Sequence, residues 1–376
     1  MSENKIKVAY IVHGLGAEGI SSFTCNLIKN LDHSKFDVTL IMAINRNGIL
    51  QIREQEILDC GVKVLRTCDL GSLKKVLKHL KLLKQLLIEN GPFDVVHSNF
   101  DKLDGFNLYI AKKVKIPVRI SHSHTANRGA LANKIKELLV KSYEKLSKYL
   151  IHKCATDFAG CSDVACKYLH PKDNSKVIIN GVDVNKFYYT SADLNKYRED
   201  FDLVNKKVVG IVARISEVKN PFFMADVVKM LSLIRDDFVF IWIGDGEKSY
   251  REKLEKYIID NNLERYFKLI GIRNDVSDFL HIVDVFCLPS LFEGLPISVI
   301  EAQVAGCDCI ISDTVTKLVD AGKSTFLPIG ESNAKLWAEK INECLNKDRV
   351  ALPIEILEKF DNKVMAREVE NIYLKV

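Results

Sequence analysis

Apolar runs alternate with amphipathic segments along nearly the whole chain. Runs such as Lys7–Val12, Val38–Met42 and Phe238–Gly244 place apolar residues at successive positions, as is typical of strands that are buried on both faces. Segments such as Leu73–Glu89 instead repeat apolar residues at helical spacing, with lysines between them. Strands that alternate with helices in this way predict α/β domains, each built on a parallel sheet.

The stretch Phe286–Asp313 carries the most specific pattern, which reads strand, tight turn, helix, strand. Glu293 lies in the turn and Glu301 on the helix, roughly 12 Å further along its axis. Glycosidase carboxylate pairs are only about 5–9.5 Å apart, so this spacing better suits two contacts to one extended ligand. The backbone N–H groups of Gly294 and Leu295, at the helix start, suit a phosphate. The motif fits a ligand with sugar, phosphate and sugar in a row; the alternative is a helix start with a capping acid and an unrelated surface glutamate.

The sequence Glu-Gly-Leu-Pro at 293–296, followed by Glu-Ala at 301–302, resembles the donor-site signature of family 4 glycosyltransferases. The resemblance implies the GT-B fold, in which two Rossmann-like α/β domains face each other across a cleft and a C-terminal helix crosses back to the first domain. A length of 376 residues also favours two domains. We therefore predict an acceptor-binding domain over 1–187, a nucleotide-sugar-binding domain over 188–358 and a returning helix over 359–376.

Further positions match motifs of the same family. Arg214 and Lys219 resemble its basic pair, although Ala213 stands where a glycine is usual. Two cations there would neutralise a diphosphate without a metal ion; the alternative is an ordinary surface pair. The resemblance implies catalytic roles for Glu293, His124, Arg214 and Lys219, and donor-binding roles for Gly16, Arg214, Lys219, Arg273, Glu293, Gly294, Leu295 and Glu301. Among these, Glu301 would hold the ribose, Glu293 the hexose, and Arg273 would lie beside the base.

The histidine assignment rests on the end of one predicted strand. Val118–His122 is followed by Ser123 and His124, at the edge where parallel sheets place ligand groups. Family resemblance favours His124 as the residue near the donor sugar, with His122 as the second choice. The alternative is a pair of polar loop residues.

A glycine-rich turn follows the first predicted strand. Residues 14–19 (GLGAEG) match the bare dinucleotide-binding expression, but the second strand ends at 43–46 (AINR) without the acid that binds ribose. A nicotinamide cofactor is therefore not expected. The family's own loop is Gly-Gly-x-Glu, which Gly16 and the two residues after it fit, with Leu15 in place of one glycine.

Charge is distributed unevenly between the two halves. Residues 1–180 hold 28 Lys and Arg against 17 Asp and Glu, whereas residues 181–376 hold 26 against 32. The lysines concentrate on the predicted helices Leu73–Glu89 and Asn133–Cys154. We expect only the first half to meet an anionic surface such as a membrane; the alternative is that these lysine faces are merely solvated.

The remaining composition favours a cytoplasmic globular protein. The chain is 47% hydrophobic and 27% charged, and no apolar run has the length of a membrane span or the pattern of a signal peptide. The ten cysteines are scattered among apolar neighbours without metal-binding spacing, so we predict reduced core thiols.

The function implied by the resemblance is retaining transfer of a hexosyl unit from a nucleotide-diphospho sugar, with UDP the expected nucleotide. The expected acceptor is a saccharide, carried on a lipid, in surface polysaccharide synthesis. No cofactor, metal ion or nucleic acid partner is expected. The alternative is a protein of this fold that binds nucleotide sugars or serves as a scaffold without turnover, which the departures at Leu15 and Ala213 leave open.

Overall fold

A computed structural model describes residues 5–16, 19–44, 49–127 and 134–376, with the backbone alone at 135 and 136. The chain forms two compact units. The first unit comprises Met1–Gly181 and Asn362–Val376, and the second unit comprises Val182–Asp361. Each unit is described separately below.

The first unit is built on a parallel sheet whose described strands alternate with helices. The strands are β1 (Ile6–Val12), β2 (Phe36–Met42), β3 (Lys63–Arg66), β4 (Val95–Asn99), β5 (Val118–Ser123), β6 (Asp157–Gly160) and β7 (Lys176–Val177), in the order β3-β2-β1-β4-β5-β6-β7. The helices between them are α1 (Gly19–Asn30), α2 (Glu54–Leu58), α3 (Leu73–Glu89), α4 (Asp104–Lys113), α5 (Lys134–Cys154) and α6 (Asp163–Leu169). The last five residues of β1 are fully buried, as its apolar run predicts.

Serine side chains fix the starts of two of these helices. Ser72 Oγ accepts a hydrogen bond from the backbone N–H of Lys75 at the start of α3, and Ser162 caps α6 in the same way. The predicted bounds of α3 are confirmed. The predicted start of the other lysine-rich helix, Asn133, lies outside the described residues.

The second unit repeats the architecture on a parallel sheet. Its strands are β8 (Lys207–Val212), β9 (Phe238–Ile243), β10 (Phe267–Gly271), β11 (Val285–Leu288), β12 (Asp308–Ser312) and β13 (Ser324–Leu327), in the order β10-β9-β8-β11-β12-β13. Its helices are α7 (Val184–Tyr188), α8 (Leu194–Asp200), α9 (Pro221–Ser232), α10 (Lys248–Asp260), α11 (Val276–Ile282), α12 (Ile297–Val304), α13 (Ala334–Leu345) and α14 (Ile354–Leu357). In each sheet the second and third strands are added on one side of the first strand, and the later strands are added on its other side. This is the topology of doubly wound Rossmann-like domains.

The last helix, α15 (Asn362–Tyr373), belongs to the first unit. Tyr373 is fully buried there, and its hydroxyl lies 2.8 Å from Nδ1 of His97 on β4. Glu370 accepts a hydrogen bond of 2.7 Å from the backbone N–H of Asp32. The prediction of two Rossmann-like α/β domains, with the last helix returned to the first, is thus confirmed.

Two predicted boundaries in the first unit are wrong. The sequence pattern predicts a strand over Asp94–His97 and a helix over Leu108–Lys115, but β4 continues to Asn99 and α4 already begins at Asp104. The polar residues concerned are buried because each finds a hydrogen-bond partner inside the unit, as when Asn107 Nδ2 donates to Ser98 Oγ at 3.1 Å, so they continue a strand or a helix where their polarity predicts a loop. No helix in the described part of the chain is long and apolar enough to cross a membrane.

Candidate active site

The predicted donor motifs follow two paired strands of the second unit. Strands β8 and β11 pair in parallel, with Val285 opposite Val209, so the loops after them leave the same edge of the sheet. The loops are joined directly, because the backbone N–H of Leu291 donates a 2.8 Å hydrogen bond to the carbonyl oxygen of Val218. This is the edge at which open parallel sheets bind ligands.

Lys219 and Glu293 form an ion pair across these loops. Their side chains are only 20% and 14% exposed, so bulk water screens the pair weakly. Asn220 ends the first loop in a left-handed conformation, with φ of 54°, and Pro221 begins α9. The turn therefore holds the Lys219 ammonium at a defined position beside the start of the second motif.

The backbone before this turn is packed closely against the neighbouring strand. The indole N–H of Trp242 donates a 2.8 Å hydrogen bond to the Ala213 carbonyl oxygen. A Cβ atom at Gly244 would lie 2.2 Å from that same oxygen. The backbone at Ala213 can thus approach β9 closely because Gly244 has no side chain, and the methyl group of Ala213 is accommodated. Arg214, the next residue, exposes its side chain to solvent.

The turn into α12 places its backbone inside the unit. Gly294 and Leu295 are buried, Pro296 occupies the N-cap position, and α12 begins at the next residue. Glu301 is half-buried on the same helix. The arrangement brings Lys219, Glu293 and the start of α12 together, with a second carboxylate further along the helix.

A buried serine in this loop was not predicted. Ser290 is fully buried, and its Oγ has no hydrogen-bond partner among the described residues. Its carbonyl oxygen accepts a 2.9 Å hydrogen bond from Thr314 Oγ1, which ties the loop to the end of β12. Ser290 lies three positions before Glu293. In the sequence, only its place beside the family-like motif distinguishes it from any other loop serine.

Arg273 is held by its own surroundings. It makes two hydrogen bonds of 2.8 and 2.6 Å to Asp275, and its guanidinium lies 5.5 and 5.3 Å from the ring centroids of Phe201 and Phe279. Tyr197 donates a further 2.8 Å hydrogen bond to Asp275. The bond from Arg273 lowers the pKa of Asp275 and raises that of Arg273. The structure gives Arg273 a local structural role, and its contact with a base stays a prediction.

His124 follows β5 in the first unit and is fixed through two neighbours. Its backbone N–H donates to Asp101 Oδ1 at 3.0 Å, and its Nε2 lies 2.8 Å from Asn99 Oδ1. Its ring packs 4.6 Å from the ring of Phe23. Burial lowers the pKa of His124 to about 4, so the imidazole is neutral at pH 7.

His122 lies inside β5, which continues to Ser123, one residue beyond the predicted end of the strand. The residue is fully buried, its Nδ1 lies 3.1 Å from Nε2 of His97, and its ring stacks on that of His124. Its Nε2 has no hydrogen-bond partner among the described residues. Burial holds the pKa of His122 well below its ordinary value of 6.5. The buried His122 ring therefore holds the His124 ring in place by stacking on it.

The glycine-rich turn is only partly described. Leu15 is fully buried, and its backbone N–H donates a 2.7 Å hydrogen bond to Gln51 Oε1. Gly16 follows it and is half-buried. Ala17 and Glu18, which complete the predicted family loop, lie outside the described residues. The leucine at position 15 therefore contributes to the core.

A buried polar network next to the histidines was also not predicted. The Asp104 carboxylate is fully buried and accepts hydrogen bonds from Ser121 Oγ at 2.8 Å and from the backbone N–H of Phe100 at 2.9 Å. His170 Nε2 lies 2.9 Å from the same serine oxygen. Burial holds the pKa of Asp104 well above its ordinary value. Within the described residues, no group of three His, Cys, Asp or Glu side chains is arranged to hold a metal ion.

Comparison with known sequences identifies relatives of the whole chain. The family model described as glycosyl transferases group 1 matches residues 194–363. The putative glycosyltransferase EpsF of Bacillus subtilis (strain 168) is 28% identical over 349 residues, covering 91% of this chain and 88% of that protein. An Escherichia coli UDP-Gal:alpha-D-GlcNAc-diphosphoundecaprenol alpha-1,3-galactosyltransferase is 30% identical over 327 residues, covering 83% of this chain and 80% of its own.

Solved structures share the fold of the whole chain. Anabaena Alr3699/HepE in complex with UDP and glucose superposes with a TM-score of 0.79 at 17% identity, over 99% of this chain and 100% of that one. A glycosyltransferase from Rickettsia africae ESF-5 superposes with a TM-score of 0.75 at 18% identity, with coverage of 99% and 100%. At these identities the likeness concerns the fold.

Proposed function

Because the chain belongs to the glycosyl transferases group 1 family, we propose that it transfers a hexosyl unit from a UDP-sugar to a lipid-linked saccharide. We further propose that the transfer retains the anomeric configuration of the donor sugar. The observation that carries the proposal is the ion pair of Lys219 with Glu293 beside the start of α12. It brings a cation for the donor phosphates and a carboxylate for the sugar hydroxyls to one sheet edge. The remaining roles are assigned around it.

In the proposed donor complex, Lys219 and Arg214 neutralise the diphosphate. The backbone N–H groups of Gly294 and Leu295 contact its oxygens at the helix start. Glu293 accepts hydrogen bonds from the hexose and Glu301 from the ribose. The expected sequence of contacts is thus sugar, diphosphate and ribose along one loop and helix.

Catalysis in this proposal is mainly electrostatic. The bond between the anomeric carbon and the diphosphate oxygen breaks while the acceptor hydroxyl approaches from the same face, and the departing phosphate takes the hydroxyl proton. No enzyme nucleophile is required. Fixed cations near the leaving diphosphate stabilise the charge that develops on it. His124, neutral at pH 7, is proposed to contact the donor sugar as an uncharged hydrogen-bonding group.

Two relatives favour a lipid-linked acceptor. The names of the Escherichia coli enzyme and of a Campylobacter jejuni relative, 25% identical over 394 residues, both specify diphosphoundecaprenol-linked saccharides as their substrates. The wider set includes a capsular polysaccharide biosynthesis glycosyltransferase of Staphylococcus aureus. We propose the same class of acceptor, in the synthesis of a surface polysaccharide, with the sugar and the linkage to be found by experiment.

Release of UDP tests this proposal against the alternative of a non-catalytic binding protein. Donors are first screened by thermal shift with UDP-hexoses, and the best is then incubated with prenyl-diphosphate-linked saccharides. We expect UDP release that depends on the acceptor, and a product with the donor's anomeric configuration by NMR. Donor binding without acceptor-dependent release would instead identify a binding or scaffolding protein.

We predict that activity does not require a divalent cation. Lys219 and Arg214 supply the positive charge that a metal ion would otherwise provide at the diphosphate. The measurement is initial rate in excess EDTA, compared with the same enzyme in Mg²⁺ and Mn²⁺. The expected rates agree within about twofold, a difference under 0.5 kcal/mol in barrier. Abolition by EDTA with recovery in Mn²⁺ or Mg²⁺ would contradict the prediction.

We further predict reversible docking of the first unit on anionic membranes. Helices α3 and α5 carry exposed lysines, and beside them lie exposed leucines that can enter the headgroup region. The leucines are Leu73, Leu77, Leu138 and Leu139. Each well-placed lysine contributes about 1 kcal/mol at an anionic surface, and salt reduces this contribution.

Co-sedimentation with liposomes across a salt series measures the docking. We expect binding to anionic vesicles at low salt, weaker binding at high salt, and little binding to neutral vesicles. Equal partitioning to both kinds of vesicle, or none to either at low salt, would favour an acceptor in solution.

A further inference from the structure

The first unit contains a cavity of about 450 Å³ whose lining residues come from the segment after β3, from α3, from the segments that follow β4 and β5, and from α5 and α6. We call it the α3–α5 cavity. Most of its wall is carbon, contributed by Leu70, Val76, Phe100, Leu103 and the rings of Tyr143 and Tyr168. Its volume falls in the range of about 300–1,000 Å³ that is typical of small-molecule sites.

Three polar side chains in its wall, those of Asp101, Thr125 and Ser72, are already hydrogen-bonded, whereas the buried Tyr143 hydroxyl has no hydrogen-bond partner among the described residues. Asp101 accepts hydrogen bonds from the His124 backbone N–H at 3.0 Å and from Thr125 Oγ1 at 2.7 Å. Ser72 Oγ accepts the capping hydrogen bond of α3. A sugar bound here would need several new hydrogen bonds to replace those it makes with water. An apolar chain needs none, so this wall favours a hydrocarbon occupant.

Two cations accompany the apolar wall. Lys102 is part of the lining, and its Nζ lies 3.4 Å from the carboxylate of Glu144. Lys148 Nζ lies 4.4 Å from the centroid of the Tyr168 ring. A hydrocarbon wall with lysines beside it matches a chain that carries an anionic head.

The cavity adjoins the histidine of the proposed reaction. Asp101 and Thr125 line it, and Asp101 is the residue that fixes the His124 backbone. A saccharide bound at His124 would therefore lie next to residues of the cavity wall, and an anomeric substituent pointing to that side would enter the cavity. In a lipid-linked saccharide that substituent is a diphosphate followed by a polyprenyl chain.

The exposed apolar surface continues outward from the same walls. Leu73 and Leu77 flank Val76 on α3, and Leu139 precedes Tyr143 by one helical turn on α5. A chain leaving the cavity would therefore meet apolar side chains before it reached water.

We propose that the α3–α5 cavity binds the diphosphate-proximal isoprene units of the acceptor, with Lys102 and Lys148 beside the diphosphate. The inference rests on the proposed function, because it takes the acceptor to be lipid-linked. It adds a dedicated lipid subsite in the first unit, distinct from adsorption to a membrane surface. The chain, and not only the saccharide, then contributes to acceptor recognition.

Isothermal titration of the full-length protein with short prenyl diphosphates tests this assignment without any donor. The probes are inorganic diphosphate, geranyl diphosphate and farnesyl diphosphate, below their aggregation concentrations. We expect farnesyl diphosphate to bind at least about tenfold more tightly than inorganic diphosphate, with geranyl diphosphate between them, because each added isoprene unit buries more hydrocarbon. Equal affinities for the three would overturn the proposal.

Val76→Trp fills the cavity from α3, where the residue is half-buried and a larger side chain can be accommodated. We expect this variant to lose the preference for farnesyl over inorganic diphosphate. Ile88→Trp is the matched control, because it places the same side chain at an exposed apolar position near the other end of α3. Unchanged farnesyl diphosphate binding in Val76→Trp would overturn the assignment.

UDP affinity, measured on the same variants, separates failure of the lipid subsite from failure of the proposed glycosyltransferase activity. Failure of UDP binding and of UDP release in the wild-type protein would refute the glycosyltransferase proposal, whatever the prenyl result. If the wild-type protein shows no preference for prenyl diphosphates over inorganic diphosphate, and Val76→Trp leaves turnover of a short-chain acceptor intact, only the lipid subsite is refuted. A cavity that binds a lipid-free saccharide, with that binding lost in Val76→Trp, would identify a sugar subsite instead.

Discussion

Replacing Lys219 by alanine will lower turnover by roughly 30- to 1,000-fold while the protein stays folded. Lys219 is four-fifths buried and paired with Glu293. Its removal takes away a fixed cation and leaves a carboxylate beside the proposed diphosphate site, so attraction is replaced by repulsion. Loss of one such donor costs about 2–4 kcal/mol of transition-state stabilisation, which is the expected size of the effect.

Matched variants separate this role from a general loss of positive charge. Lys229→Ala removes a lysine of α9 that is hydrogen-bonded to Asn261 at 3.0 Å, and we expect unchanged rates. Lys219→Arg keeps the charge and should retain more activity than Lys219→Ala. Arg214→Ala is expected to lose activity in the same range as Lys219→Ala. The measurements are UDP release and the thermal midpoint of each variant, and near-normal rates in both Lys219→Ala and Arg214→Ala would remove the diphosphate assignment.

The fold was predictable wherever burial and periodicity agreed. The predicted bounds of α3 are those of the structure, and the apolar runs Val38–Met42 and Phe238–Gly244 match β2 and β9 to within two residues, because uniformly apolar runs and a helix-spaced leucine pattern leave little choice of element. Prediction failed at β4, where His97, Ser98 and Asn99 continue the strand. Their burial depends on partners far away in the chain, such as Tyr373 for His97 and Asn107 for Ser98, which local patterns do not reveal.

The candidate site, too, could be predicted only in part. Lys219 and Glu293 were proposed from separate motifs, and the structure brings them together because β8 and β11 are paired. The surroundings of His124 could not be predicted. Asp101 adopts a left-handed backbone, with φ of 45°, to reach the His124 N–H, and no sequence signal specifies that turn. The roles of these residues stay proposals, and the variants above test that of Lys219.

The first unit should lose stability in acid well before the second. Burial lowers the pKa of His97 to about 3 and those of His124 and His170 to about 4, from an ordinary value of 6.5, and it also lowers the pKa of His79 and of His122. The unfolded chain binds protons at these imidazoles below about pH 6.5, whereas the folded unit binds them only at lower pH, near pH 4 at His124 and His170. The free energy of unfolding therefore falls as the pH drops through this window, by about 1.4 kcal/mol per pH unit for each imidazole. Asp104 acts in the opposite sense, because its raised pKa favours the folded state in acid, but it is one carboxyl group against five imidazoles.

The distribution of tryptophan allows the two units to be followed separately. Trp242 and Trp337 are the two tryptophans of the chain, and both lie in the second unit, where His281 has a lowered pKa. Urea unfolding at pH 7.5 and pH 5 should show a far-UV circular dichroism transition whose first-unit component moves to lower urea in acid, with a smaller shift in tryptophan fluorescence. His170→Asn, at the network's edge, should reduce the pH dependence of the first component. Equal acid shifts in both signals would mean that the buried imidazoles do not control the stability of the first unit.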